Sequence, residues 1–214
     1  MRLVIWDLDG TLVNSLPSTL EAFNDGLQHF LGRRLSNAEI MAHFGQSEER
    51  ILSKLVGEEN GSECYRRVVE SMSGRLSEIR PFDGIPDTVE TLLREGHRLA
   101  ICTGRGRKGT EFLLEHLGFA SHFLKIVTAD DVENPKPHPE GVMRICAELQ
   151  TGVGEAVMVG DTVADVRAGR LGGIHAVGCA WDALADAEAL GAAGASLVIR
   201  EPRELLEWLE AFED

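Results

Sequence analysis

Six short apolar runs, each closed by a polar or glycine-containing stretch, limit the folds open to this chain. They are LVIW (3–6), LAIC (99–102), FLKIV (123–127), AVMVG (156–160), IHAVG (174–178) and SLVI (196–199). Runs so short and so nearly all apolar read as strands buried on both faces, hence as parallel strands. Between them the pattern turns helical. Pro86 suits the first position of a helix that carries Val89, Leu92 and Leu93 and stops at Gly96. Residues 107–117 end at Gly118, Pro139 opens 140–150, and Pro202 opens a last helix with Leu205, Leu206 and Leu209. Strands alternating with helices predict an α/β fold built on a doubly wound parallel sheet.

One region breaks the alternation. Residues 16–79 contain no strand pattern. Leu16, Leu20, Phe23, Leu27 and Phe30 recur every three or four positions and give one apolar helical face. SNAE (36–39) reads as a capping box opening a second helix with Ile40 and Phe44. Ile51, Leu52, Leu55 and Val56 mark a third, and Tyr65, Val68, Val69, Met72, Leu76 and Ile79 a fourth. The chain therefore divides into a Rossmann-like core, 1–14 and 81–214, and a four-helix insertion, 15–80. The punctuation of RPFDGIP (80–86) marks the return.

With 21 basic and 35 acidic side chains in 214 residues, the net charge is −14. That field argues against nucleic acid and anionic membrane surfaces as partners. An anionic substrate has to be captured by local positive groups. The opening MRLVIWDLDG is too short in apolar residues for a signal peptide, and no run approaches the ~20 residues of a membrane helix. A cytoplasmic protein is the expectation. Cys64, Cys102, Cys146 and Cys179 lack CxxC spacing, which points to buried reduced thiols rather than a zinc site.

In a parallel sheet, ligands bind beyond the carboxyl ends of the strands. The first strand delivers Asp7 and Asp9, with Gly10 and Thr11 behind them; LAIC delivers Thr103 and Gly104. After the third strand comes NPKPHP with Lys136, and AVMVG delivers Asp161 and, one helical turn on, Asp165. Taken alone, a DxDG could be a polar turn, Lys136 a solvated loop residue, and Asp161 a helix cap. Together they make a site. Two unit charges ~4 Å apart interact by roughly 4 kcal/mol at an effective dielectric near 20, so clustered carboxylates call for a cation or a shared proton. Oxygen ligands suit Mg²⁺, which binds a few carboxylates beside a substrate phosphate. Asp7 is then a candidate nucleophile toward phosphorus and Asp9 a candidate general acid and base. Lys136, Thr103 and backbone N–H groups would hold phosphoryl oxygens.

These residues carry a resemblance. DLDGTLVNS resembles the first motif of the haloacid dehalogenase-like superfamily; ICTG (101–104) is similar to its second, Lys136 to its third and GDTVAD (160–165) to its fourth. The helical insertion resembles the small cap of the phosphoglycolate phosphatase and β-phosphoglucomutase branch. The resemblance implies an aspartyl-phosphate formed on Asp7, proton transfer by Asp9, and phosphate contacts from Thr103 and Lys136. It implies Mg²⁺ held by Asp7, the Asp9 carbonyl and Asp161, with Asp165 acting directly or through water or Lys136. Gly10, Thr11, Gly104, Arg105 and, from the cap, Gln46 are candidate substrate contacts, as is Ser47. Gly104 and Arg105 depart from the branch, where Asn often follows the motif-two Thr. His138, between two prolines, reads as a turn residue and Trp181 as packing.

The function expected is Mg²⁺-dependent hydrolysis of a small phosphorylated metabolite, phosphoglycolate first, by a monomer or homodimer. A phosphosugar mutase and an inorganic pyrophosphatase are the alternatives of the same chemistry. A regulatory binding protein on a phosphatase fold is the alternative of another class.

Overall fold

The computed structural model describes residues 2–211; residues 1 and 212–214, at the ends of the expected core segments, lie outside the described residues. The strands are β1 (Leu3–Trp6), β2 (Val13–Asn14), β3 (Arg80–Pro81), β4 (Arg98–Cys102), β5 (Lys125–Val127), β6 (Ala156–Gly160), β7 (His175–Cys179) and β8 (Leu197–Ile199). The helices are α1 (Leu16–Leu31), α2 (Asn37–Met41), α3 (Glu48–Val56), α4 (Glu58–Gly74) and α5 (Ile85–Arg94). They continue with α6 (Arg107–His116), α7 (Glu140–Glu148), α8 (Val163–Leu171), α9 (Ala187–Ala192) and α10 (Arg203–Glu210).

All six apolar runs are strands of one parallel sheet, in the order β5-β4-β1-β6-β7-β8. β1 lies at its centre, every residue of it buried, with Trp6 beside Ile101 of β4 and Val159 of β6. That registry sets the ends of the three central strands side by side. One face of the sheet carries Val4, Trp6, Leu99, Ile101, Val157 and Val159 into a core shared with α5, α6 and α10. The other carries Leu3, Ile5, Ala100, Cys102, Ala156 and Met158 into a second core with α7 and α8. Alternate residues of each strand point to opposite faces, and both faces are covered by helices, which is why the runs are apolar throughout. All four cysteines are free and buried.

Between β2 and β3, helices α1–α4 pack through Leu20, Phe23, Leu27, Ile40, Leu52, Cys64 and Val68. The β2–β3 antiparallel pair, Val13 with Pro81 and Asn14 with Arg80, clamps both crossings of the chain into this insertion. Two-residue strands offer no periodicity, and the pair is not predicted from sequence. Nor is α9, a short Ala-rich helix capped by Asp186, which accepts from Glu188 N and Ala189 N (3.0 Å each). The fourth helix of the insertion stops at Gly74, short of Leu76 and Ile79. Leu76–Glu78 form a separate 3₁₀ turn, whose tighter winding still lets Ile79 reach the core. α7 likewise ends at Glu148 rather than residue 150.

Candidate active site at the strand ends

Asp7 follows β1 directly and continues its pairing, donating from its backbone N to Val159 O (2.9 Å). The turn after it is tight: Leu12 N and Val13 N both donate to Leu8 O (2.9 and 3.0 Å). Gly10 has φ +77°, and a Cβ there would lie 2.4 Å from Asp161 Oδ2. Only glycine takes this conformation cheaply and leaves that carboxylate its place. Thr11 donates from Oγ1 to Asp161 Oδ1 (2.8 Å), and Trp181 Nε1 donates to Thr11 O (2.9 Å), so Trp181 fixes the turn as well as packing. Gly10 and Thr11 thus stand behind the cleft and shape Asp161.

Lys136 joins two of the predicted residues and a backbone carbonyl. Its Nζ lies 2.9 Å from Asp7 Oδ1, and it donates to Asp165 Oδ1 (2.5 Å) and to Cys102 O (2.9 Å). An ammonium has three N–H groups, and all three are engaged. Asp165 is fully buried; its second oxygen accepts from Thr162 N and Oγ1 (3.0 and 2.5 Å), the capping box that opens α8. The helix start and the site therefore share one carboxylate.

Asp7, Asp161 and Asp165 each place a carboxylate oxygen within 4.8 Å of the others, and all three are buried. Burial pushes the Asp7 carboxyl up to about 7, against the attraction of Lys136, with Asp165 adding to the rise. Burial, Asp165 and Asp7 push Asp161 well above the carboxylate range. Burial disfavours the charge on Lys136, but Asp165 and Asp7 outweigh it and hold the ammonium charged. Asp161 accepts from the Thr11 hydroxyl and from its own backbone N–H. Hard oxygen donors in excess of the cations around them fit a divalent ion such as Mg²⁺.

Asp9 points elsewhere. Its carboxylate accepts from Arg105 Nε (2.9 Å) and Nη2 (2.8 Å) and makes a short bond with Ser15 Oγ. Burial disfavours its charge, but Arg105, Ser15 and Lys136 together hold it below the usual carboxylate range. Arg105 also donates from Nη2 to Thr19 Oγ1 (2.9 Å) and from Nη1 to Glu48 Oε1 (2.9 Å). The other Glu48 oxygen accepts from Gly106 N (2.8 Å). Arg105, taken from sequence as a substrate contact, is here a bridge between Asp9 and the helical insertion. Thr103 Oγ1 accepts from Arg105 N (3.1 Å).

Sequence reasoning passed over Glu48, Ser15 and Thr19. A glutamate in the first turn of α3 reads as an ordinary partner of the helix dipole. The available signal lay in α6, where Gly106 is an ordinary N-cap but Gly109, inside the first turn, sits where glycine is costly. A Cβ on either would come within 2.8 Å of a Glu48 carboxylate oxygen. Ser47 packs toward Gly106 rather than the cleft, whereas Gln46 lines it. His138 stays in its turn, accepting from Glu140 N (3.2 Å).

The cleft between strand ends and insertion has a volume of about 520 Å³. Asp7, Asp9, Thr103, Gly104, Arg105, Lys136 and Asp161 form its floor; Leu16, Phe23, Met41, Phe44 and Ile51 form its roof. No helix among the described residues is long and apolar enough to cross a membrane.

Known proteins share this arrangement. Residues 4–179 match the family model described as haloacid dehalogenase-like hydrolase. Pyrophosphatase PpaX of Anoxybacillus flavithermus is 31% identical over 180 residues, covering 83% of this chain and 83% of that protein. The crystal structure of a hydrolase from Pseudomonas syringae superposes with a TM-score of 0.81 at 26% identity, covering 99% of both chains. That of a predicted phosphoglycolate phosphatase from Haemophilus somnus shares the fold, with a TM-score of 0.83 at 20% identity over 98% of both. The family match runs from β1 through β7, so it takes in every strand end that carries Asp7, Thr103, Lys136 or Asp161. This chain belongs to the haloacid dehalogenase-like hydrolases.

Proposed function

We propose that this protein is a Mg²⁺-dependent phosphatase that hydrolyses a small phosphorylated metabolite through an aspartyl-phosphate on Asp7. The observation that carries the reading is the setting of Asp7, buried at the end of the central strand, 2.9 Å from Lys136 and beside Asp161 and Asp165. Asp7, Asp161 and, directly or through water, Asp165 would hold the ion, with the Asp9 carbonyl. Bound there, Mg²⁺ supplies charge neutralisation and polarises a phosphoryl oxygen.

In the first half-reaction an Asp7 oxygen attacks phosphorus, the bond to the leaving oxygen breaks, and Asp9 in its protonated form gives that oxygen a proton. In the second, water attacks phosphorus, the bond to the Asp7 oxygen breaks to release phosphate and the free Asp7 carboxylate, and Asp9 takes the proton lost by the water. The Arg105 pairing equips Asp9 for the second role. Lys136 orients Asp7 and favours its charged form for the attack. Thr103 offers its hydroxyl hydrogen to a phosphoryl oxygen, since its lone pair already accepts from Arg105 N.

Pyrophosphate cleavage is a second reading, favoured by the name of the Anoxybacillus relative. Phosphoglycolate is the substrate that the branch suggests. Phosphate release from a substrate panel, with and without Mg²⁺, tests the core reading. Asp7→Asn is expected to reduce turnover by about 10³-fold or more while leaving the circular dichroism spectrum unchanged. Normal rates in that variant would remove Asp7 as the nucleophile.

A further inference from the structure

We infer that the leaving group of the preferred substrate is uncharged and largely apolar, so that the phosphoryl group is the substrate's only anion. The inference rests on the monoester phosphatase reading and narrows its substrate class.

A second anionic group, such as the carboxylate of phosphoglycolate or the second phosphate of pyrophosphate, loses water on entering the cleft. It then needs a cation or several free N–H donors. Among the described residues that line the cleft there are two cations, Lys136 and Arg105. The three Lys136 donors face Cys102 O, Asp7 and Asp165. Of the five N–H donors of a guanidinium, four in Arg105 are engaged by Asp9 (two), Thr19 and Glu48. One positive charge thus already faces two carboxylates.

Glu48 has no easy way out of that pairing. It is 8% exposed, its second oxygen is held by Gly106 N, and its position depends on the room that Gly106 and Gly109 leave. Lys54 donates to Gln46 Oε1 (2.5 Å) but is exposed and lies off the lining. Asp186, exposed and on the lining, adds a negative charge at the mouth.

Apart from Thr19, Gln46 and Thr162, the remaining wall is largely apolar. Leu16, Phe23, Met41, Phe44 and Ile51 face the floor, with Phe23 and Phe44 in edge contact (6.2 Å between centroids). Leu184, 56% exposed, continues the surface to the opening. The volume of about 520 Å³ lies in the range of sites for ligands larger than a two-carbon acid.

The test compares n-hexyl phosphate with 6-phosphonooxyhexanoate, which has the same leaving oxygen and one added carboxylate; phosphoglycolate and pyrophosphate are assayed alongside. At saturating Mg²⁺, kcat/KM for hexyl phosphate is expected to exceed that for its carboxylated partner, and for phosphoglycolate, by tenfold or more. Equal or faster turnover of either charged ester would overturn the inference while leaving the phosphatase reading intact, as would pyrophosphate as the best substrate. If no compound releases phosphate, the phosphatase reading falls and this inference with it. Glu48→Gln takes one carboxylate away from Arg105 and is expected to narrow the hexyl-to-carboxylate ratio at least threefold. An unchanged ratio would overturn the assignment of charge selection to the Arg105–Glu48 pair.

Discussion

At the carboxyl ends of β1, β4 and β6 the cleft is lined by carboxylates and a threonine hydroxyl placed by strand registry, and the loop after β5 brings in the Lys136 ammonium. Opposite them, α1–α3 and the α2–α3 loop offer Leu16, Phe23, Met41, Phe44 and Ile51, with Glu48 as the one carboxylate among the roof groups named. The floor is a set of charges that cannot all be satisfied by protein groups alone. The roof is an ordinary core surface turned toward a cavity. On the proposed reading, such a division separates chemistry from selection: the floor acts on the phosphoryl group, and the roof selects what is attached to it. Arg105 and Glu48 are the seam, where one floor residue and one roof residue share a buried ion pair (2.9 Å).

The largest expected effect comes from cutting that seam. Arg105→Leu leaves Asp9 and Glu48 buried without their cation, and breaking a buried pair costs about 3–5 kcal/mol. Urea unfolding should show that loss, and an unchanged midpoint would mean that floor and roof are independent.

The floor's excess of negative charge gives the next effect. In the metal-free protein Asp7 rises from 3.8 to about 7, so between those values the native state keeps a proton that the unfolded chain has released. Stability from this group is present at low pH and lost as pH rises toward 7, and Asp161 acts in the same direction. Mg²⁺ competes with those protons, so its increment in Tm is expected to be larger at about pH 8 than at about pH 5. With the ion at about 100 times its Kd the gain is about 2.7 kcal/mol, at roughly 2–4 °C per kcal/mol for a chain of this size. An increment independent of pH would separate the carboxylates from the ion.

Gly10→Ala sharpens the same side of the comparison. A Cβ at φ +77° and 2.4 Å from Asp161 Oδ2 should cost about 1–3 kcal/mol and displace that carboxylate. Thermal melts with and without Mg²⁺ should therefore show both a lower Tm and a smaller response to the ion. The roof gives the smallest effect. Phe44→Ala should raise KM for an apolar ester about three- to tenfold and leave kcat within about twofold, because it removes uniform binding. A fall in kcat instead would place the roof in the chemistry.

How legible each region was in the sequence follows the same division. The six strands announced themselves because both sheet faces are buried, and the order of motifs then put Asp7, Thr103, Lys136 and Asp161 at neighbouring strand ends. The α1–α4 insertion was legible as helices from its three- and four-residue spacing. The β2–β3 clamp was not, since two residues carry no period, and α9 was hidden in a run of alanines. Ser15, Thr19 and Glu48 were passed over for a different reason. Thr19 and Glu48 look like helix-start or surface polar residues until Arg105, 86 and 57 positions away, is placed beside them, and Ser15 looks like one until Asp9 is.

The sequence by itself determined the sheet, the insertion and the gathering of carboxylates at the strand ends, because periodicity and strand-end position are local properties that survive without coordinates. Only the tertiary structure decided which cations were already taken. The pairing of Arg105 with Asp9 and Glu48, and of Lys136 with Asp7 and Asp165, depends on angstrom-scale distances between elements far apart in the chain, and charge selection in the cleft depends on those distances alone.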